Sequence, residues 1–319
     1  MAGSHHGSKK VVYAALIGNG CIAILKFAVA LLSGSSALLA ETFHSVADTG
    51  NQLLLLFGMK RSERPPDEKH PFGYGKAQYF WSFVVANMLF MVGAVAAVYE
   101  GFSKIRHPHP LERTHLIYLV LGISIAIEGV SFTVAAREFF KKKVHKSIWR
   151  ELKESKDANL IVVLMEDSAA MVGLLIALFG TLLVQVTGNP LIDGIASILI
   201  GFVLALVALF LANEVRKLLI GESASEVHLN LIRKAVESFP EVQSIGNIST
   251  MHMGPENILL AIDADFQDNI SASDLEAVID RMEQKIREKV PEVKQIFIEA
   301  EGVEGYQVSV KENKNSPDQ

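Results

Sequence analysis

The first 220 residues carry six apolar runs, each able to form a helix of about 20 residues or more, the length that crosses a bilayer's hydrocarbon. They cover roughly residues 11–32, 36–59, 79–103, 115–139, 158–186 and 190–219. Lipid offers the backbone no hydrogen bonds, so spanning runs of this kind have to be helices that satisfy their own N–H and C=O groups. A soluble helical core is the competing reading, and six such runs in succession fit it poorly. The runs end in turn chemistry: SGSS at 33–36, RPP at 64–66, HPHP at 107–110 and TGNP at 187–190.

The loops assign an orientation. An even number of spans puts both termini on one side. That side collects Lys9 and Lys10, the basic residues between Lys60 and Lys76, and the dense basic stretch from Arg137 to Lys156. The opposite side holds only Lys104, Arg106 and Arg113. Basic residues concentrate in cytoplasmic loops, so both termini are expected in the cytoplasm. The opening residues MAGSHHGSKK lead into an apolar run with no small-residue cleavage pattern after it, so that run is expected to stay in the mature protein. His5 and His6 read as part of a mobile tail. With short loops and no presequence pattern, a bacterial plasma membrane is the expected location.

Beyond residue 220 the chain changes character. Residues 221–319 hold 19 acidic and 9 basic residues. LNLIRKAVESF has helical periodicity, VQSIGNISTMHM and NILLAIDADF read as strands around a Gly254-Pro255 turn, and VKQIFIEAE is a last alternating strand. SASDLEAVIDRMEQKIREKV reads as a helix capped by Ser273 with Glu276 three residues on. The order α-β-β-α-β predicts a small α+β domain with helices on one face of its sheet. The expected organisation is therefore a tail at 1–10, a six-helix, all-α transmembrane domain at 11–220, a cytoplasmic α/β domain at 221–305 and a flexible tail at 306–319. The single cysteine, Cys21, excludes an intrachain disulfide. No basic stripe points to nucleic acid. No Gly-rich phosphate loop or nucleophile elbow points to a soluble enzyme.

Within the second run, ALLAETFHSVADTGNQ places His44, Asp48 and Gln52 four residues apart, a polar stripe along one helix face. An imidazole and a carboxylate are half of a tetrahedral zinc site; the alternative is a pair of satisfied packing residues. The fifth run carries Glu166 and Asp167 in LMEDSAAMVG. A charged carboxylate at a bilayer's centre costs at least about 2.5–3.5 kcal/mol, so both need a reason to be there. A helix advances about 100° per residue, so they straddle the direction of Val163, Asp167 about 40° to one side and Glu166 about 60° to the other. Glu166 has two readings: a cation ligand, or the partner of a base such as Lys26. Glu128 reads equally as a proton relay or a buried pair. Asn51 is a possible oxygen donor, and Asp193 a charge at a helix N-terminus. Small residues four apart, Gly93, Ala97 and Gly101 with Ser197, Gly201 and Ala205, predict close helix packing, within the chain or across a dimer.

SGSSALLAETFHSVAD, DEKHPFGYGKAQ, EDSAAMVG and GNPLIDGIASILIG together resemble the cation diffusion facilitator (zinc transporter) family, over nearly all of residues 11–305. HSVADTGNQ and the Glu-Asp pair look most like its zinc transporter 9 branch. The resemblance implies six transmembrane helices, a metallochaperone-like cytoplasmic domain, a homodimer, and export of a divalent metal, Zn²⁺ first, in exchange for protons. It implies a transport site of His44, Asp48 and Asp167. The family's remaining ligand position falls at Val163, which has no donor, and Glu166 is the replacement. A carboxylate in place of an imidazole makes the site harder and widens the choice to Mn²⁺, Fe²⁺ or Co²⁺. A loop zinc site found in relatives maps to Asp67 and His70, with Tyr74 where a second histidine belongs. His228, His252, Asp263, Asp265 and Glu299 are read as surface residues. No resident cofactor is expected; the metal is cargo. A membrane-embedded sensor without flux, or a passive channel, remains the alternative class.

Overall fold

The computed structural model describes residues 4–141, 148, 152 and 158–300. The tail read at 306–319 and most of the basic loop at 142–157 lie outside these residues. The chain divides into two compact units. One holds the helices up to Arg64 and from Ala77 to Arg216. The other joins Pro65–Lys76 to the segment from Lys217 onward.

Among the described residues, six helical rods build the first unit. They are α1 (Ser4–Ser33), α2 (Ser36–Ser62), the pair α3 (Lys76–Met88) and α4 (Val95–Arg106), α5 (Thr114–Lys141), α6 (Ala158–Thr187) and α7 (Leu191–Ile220). A π-helical turn, Leu89–Ala94, joins α3 to α4, so Val95 N–H bonds back to Phe90 C=O and the rod runs on without a break. Among the described residues, four rods are long and apolar enough to cross a membrane: Lys76–Arg106, Thr114–Phe140, Ala158–Thr187 and Leu191–Ile220. In α1 the apolar part whose side chains are described is the shorter Asn19–Ser33. α2 has the length, and Glu41, His44, Asp48, Asn51 and Gln52 lower its hydropathy. The polar residues that make α2 interesting are the ones that dilute its membrane signature.

Close approach between rods uses the small residues. A Cβ on Gly101 would meet Gly194 C=O and Ile198, and one on Gly201 would meet Val98 and Ala94 C=O. Ser197 donates to Ala97 C=O at 2.7 Å. The two small-residue rows thus pack on one another inside the chain.

The second unit contains α8 (Glu226–Glu237), β1 (Val242–Gly254), β2 (Asn257–Phe266), α9 (Ala272–Lys289) and β3 (Val293–Ala300). The sheet order is β1-β2-β3, with β1 antiparallel and β3 parallel to β2. The parallel pair requires a crossover, which α9 supplies. Ile258, Leu260, Ile262, Ala264 and Phe266 alternate as the buried face of β2 and form one core with Ile232, Val236, Val278, Met282 and Ile286 of the two helices. The cap of α9 is Ser271, not Ser273. Its Oγ accepts from Asp274 N–H at 3.2 Å and donates to Asp274 Oδ2 at 2.6 Å. Asp274 therefore takes the third-position role expected of Glu276, two residues earlier than the pattern suggested.

Loop residues Pro65–Lys76 belong to this unit. Gly75 sits so close to Met253 C=O and Gly254 that no side chain fits there. Phe72 meets Phe297 edge-on, and Lys76 Nζ reaches Met251 Sδ at 3.4 Å.

Candidate cation site

The start of α2 fixes how the helix is turned. Gly34 takes a positive φ in the SGSS turn, and Ser35 caps the helix by accepting from Leu38 N–H at 3.1 Å. Asp193 of α7 then accepts from Ser35 Oγ at 2.8 Å, Ser36 N–H at 2.6 Å and Ala37 N–H at 3.3 Å. Asp193 is a charge at a helix N-terminus as expected, and the helix it serves is α2 rather than its own.

With α2 so anchored, His44, Asp48 and Asn51 all point into the bundle and are buried. Gln52, the third residue of the predicted stripe, is only half-buried. Helix geometry accounts for the exchange. Seven residues from His44 bring Asn51 back to within about 20° of it, whereas eight carry Gln52 about 80° away. The seven-residue spacing was the usable signal, and a four-residue count passes over it.

α6 packs against α2 and brings Glu166 and Asp167, both buried, to the same region. The His44 ring lies beside the Glu166 main chain, and Asp48 stands within electrostatic range of Glu166, Glu128, Asp167 and Lys26. Asn51 Nδ2 donates to Glu166 Oε1 at 2.6 Å. Ser131 of α5 donates to Asp167 Oδ2 at 2.9 Å. Val163 packs with Ala135, Phe139 and Leu164 and brings no donor. Lys26 is not the partner of Glu166: its ammonium donates to Glu41 Oε2 at 3.1 Å and Ser45 Oγ at 2.9 Å, a buried ion pair between α1 and α2.

The donors of α2 are under-used. His44 Nδ1 stands 3.5 Å from Asp48 Oδ1, within ion-pair range but beyond an ordinary hydrogen-bond length, and the two make no hydrogen bond. Both His44 ring nitrogens, Asp48 Oδ1, Asn51 Oδ1 and Gln52 Oε1 are buried polar atoms with no hydrogen-bond partner, as is Glu41 Oε1. Most buried polar atoms in proteins are paired, so a cluster of unpaired ones calls for an explanation. Among the described residues no three His, Cys, Asp or Glu side chains converge closely enough to hold an ion as they stand. The two α6 carboxylates are each held by a neutral donor, Glu166 by Asn51 and Asp167 by Ser131.

In the second unit the Asp67, His70 and Tyr74 side chains do meet. Tyr74 Oη donates to Asp67 Oδ2 at 2.6 Å, and His70 Nδ1 lies 3.3 Å from Asp67 Oδ1. The Tyr74 bond, and less so those from His70, hold the Asp67 carboxyl below its ordinary pKa. A phenol thus closes the position where a histidine would complete a metal site. Asp263 and Glu299 are cross-strand neighbours on β2 and β3. His252, read as a surface residue, is buried, because β1 turns it inward beside the segment whose Glu222 C=O takes its N–H.

The model of the cation efflux transmembrane domain matches residues 12–220, and that of the cation efflux protein cytoplasmic domain matches residues 224–303. The chain belongs to the cation efflux family. It is a membrane protein with a C-terminal domain of the family's kind. It is 31% identical to the proton-coupled zinc antiporter SLC30A9, mitochondrial, of Xenopus laevis, over 92% of this chain and 59% of that protein. It is 34% identical to metal tolerance protein C4 of Arabidopsis thaliana, over 81% of this chain and 57% of the relative. The magnetosome protein MamB of Paramagnetospirillum magneticum is 26% identical, over 90% of this chain and 92% of its own. This cation efflux protein spans little more than half the length of the first two.

Proposed function

We propose that this chain exports a divalent transition-metal cation, Zn²⁺ foremost, from the cytoplasm in exchange for protons, as a homodimer with both termini in the cytoplasm. The observation that carries the reading is the set of buried, unpartnered donors on α2, His44 and Asp48, opposite the α6 carboxylates Asp167 and Glu166. A desolvated cation satisfies them as no group of the described chain does. The relatives named as proton-coupled zinc antiporters support metal–proton exchange, and the basic loops support cytoplasmic termini.

The chemistry follows from the ligands. On cation arrival Asp167 exchanges Ser131 for the metal, Glu166 offers it an oxygen while staying tied to Asn51, and His44 and Asp48 acquire their missing partner. Imidazole and carboxylate bind metal only when deprotonated, so protons from the far side compete the cation off. Three carboxylates around a dication leave a negative site once it departs. Protonation reduces that charge and makes the return through a low-dielectric interior less costly.

Reconstitution into proteoliposomes tests the proposal. Zn²⁺ movement coupled to an opposing proton gradient supports it. Tight Zn²⁺ binding without flux would replace it by a membrane-embedded sensor.

A further inference from the structure

Asn51 stands out among the groups that the proposed ligand set leaves unused. It lies on the His44–Asp48 face of α2, one turn beyond Asp48, and it is fully buried. Its two polar atoms are in unlike situations. Nδ2 donates to Glu166 Oε1 at 2.6 Å, and Oδ1 has no partner. An amide donates only through nitrogen, so its bond to a carboxylate fixes which way the group faces and leaves the carbonyl oxygen without a partner, as are Asp48 Oδ1 and the His44 nitrogens on the same face of the helix. A structural amide between packed helices would be expected to use both ends. This one ties a carboxylate of α6 to α2 and keeps an acceptor unspent.

We propose that Asn51 determines the cation specificity of the site: its amide N–H holds Glu166 in place, and its Oδ1 joins the same cation as a further neutral oxygen donor. The inference rests on the reading of His44, Asp48, Asp167 and Glu166 as the transport site. The full donor set is then one nitrogen and four oxygens. Zn²⁺ favours four ligands with nitrogen or sulfur among them, whereas Mn²⁺ favours more ligands, mostly oxygen. Losing the imidazole position at Val163 and gaining Glu166 and Asn51 both push in that direction. A carbonyl oxygen raises the ligand count without adding a fourth negative charge to the emptied site. The site therefore admits Mn²⁺ beside Zn²⁺, and Asn51 is the residue through which it does so.

The test is equilibrium binding and proteoliposome flux of Zn²⁺ and of Mn²⁺, each alone, with the full-length protein. Wild type is compared with Asn51→Leu, which keeps the volume and removes both polar atoms, and with Asn51→Ala, which avoids any steric clash should Leu not be accommodated. Loss of a group that supports a metal ligand lowers affinity about 10–100-fold. The expected result is a loss of at least about tenfold in Mn²⁺ affinity with less than about a threefold loss for Zn²⁺, so the Mn²⁺-to-Zn²⁺ ratio falls. In a Glu166→Gln background the Asn51 substitution should add less than it does alone, because the two residues act as a pair. Equal losses for both metals would assign Asn51 a structural role and overturn the proposal. Unchanged affinities would overturn it as well. If instead His44→Ala and Asp48→Ala retain wild-type binding and flux, the transport site is elsewhere, and that reading fails first.

Discussion

Two buried carboxylates of the helical unit, Asp193 and Asp48, meet opposite fates. Asp193 takes three hydrogen bonds from the start of α2, with the Lys104 ammonium 3.9 Å away. Lys104 in turn donates to Gly34 C=O at 2.7 Å and contacts His109 Nδ1 at 2.7 Å. Asp48 is equally withdrawn from solvent, yet one of its oxygens has no hydrogen bond and its histidine neighbour has none either. Burial alone does not tell a structural charge from a functional one. Completeness of partners does: a fully satisfied group holds the helices together, and an unsatisfied group is held ready for something that arrives.

The comparison breaks if the two aspartates behave alike on substitution. The largest effect is expected for Asp48→Ala, which should reduce cation flux to background in proteoliposomes while the protein remains folded by circular dichroism. Asp193→Ala should do the reverse. It strands Lys104 and uncaps α2, a loss of about 3–5 kcal/mol that thermal melting will register, with the Mn²⁺-to-Zn²⁺ ratio of the folded fraction unchanged. Glu166→Ala removes a proposed ligand outright, so cation affinity should fall by at least about a hundredfold in a binding titration. Val163→His restores an imidazole near the carboxylates, and the sharper outcome is a change of preference: Zn²⁺ over Mn²⁺ should rise by about tenfold in competition flux.

The smallest effect lies in the other unit. Tyr74→Phe removes the hydrogen bond that most depresses the Asp67 carboxyl, so its pKa should rise in an NMR titration. The sign follows from the depression: the bond stabilises the loop above the carboxyl's unfolded value and is lost as pH falls through the folded one. Transport at neutral pH should not change.

The fold was largely legible in the sequence, because lipid leaves few choices. Six apolar runs have to be helices, and the period-two pattern at 257–266 has one buried face. The cap of α9 was misplaced by two residues because SASD offers two serines and the pattern alone cannot say which one turns out of the helix. The candidate site was half legible. His44, Asp48, Glu166 and Asp167 announced themselves as polar groups in apolar runs. Asn51 was read as a possible oxygen donor beside the stripe, whereas Gln52, counted into the stripe, is only half-buried. Ser131 and the Asp193 bridge to α2 were not readable, since both join segments far apart in the chain. Pairings of that kind depend on how helices pack, which no local pattern encodes.

The central claim is that the unpaired donors of α2 wait for a cation that trades places with protons. Zn²⁺ uptake into proteoliposomes, with and without an acidic interior, tests it most directly, with wild type beside Asp48→Ala. The account predicts that wild-type uptake is accelerated by the acidic interior, that protons leave as Zn²⁺ enters, and that neither occurs with the variant. Uptake indifferent to the proton gradient, or an Asp48→Ala protein that still exchanges the two, would contradict it.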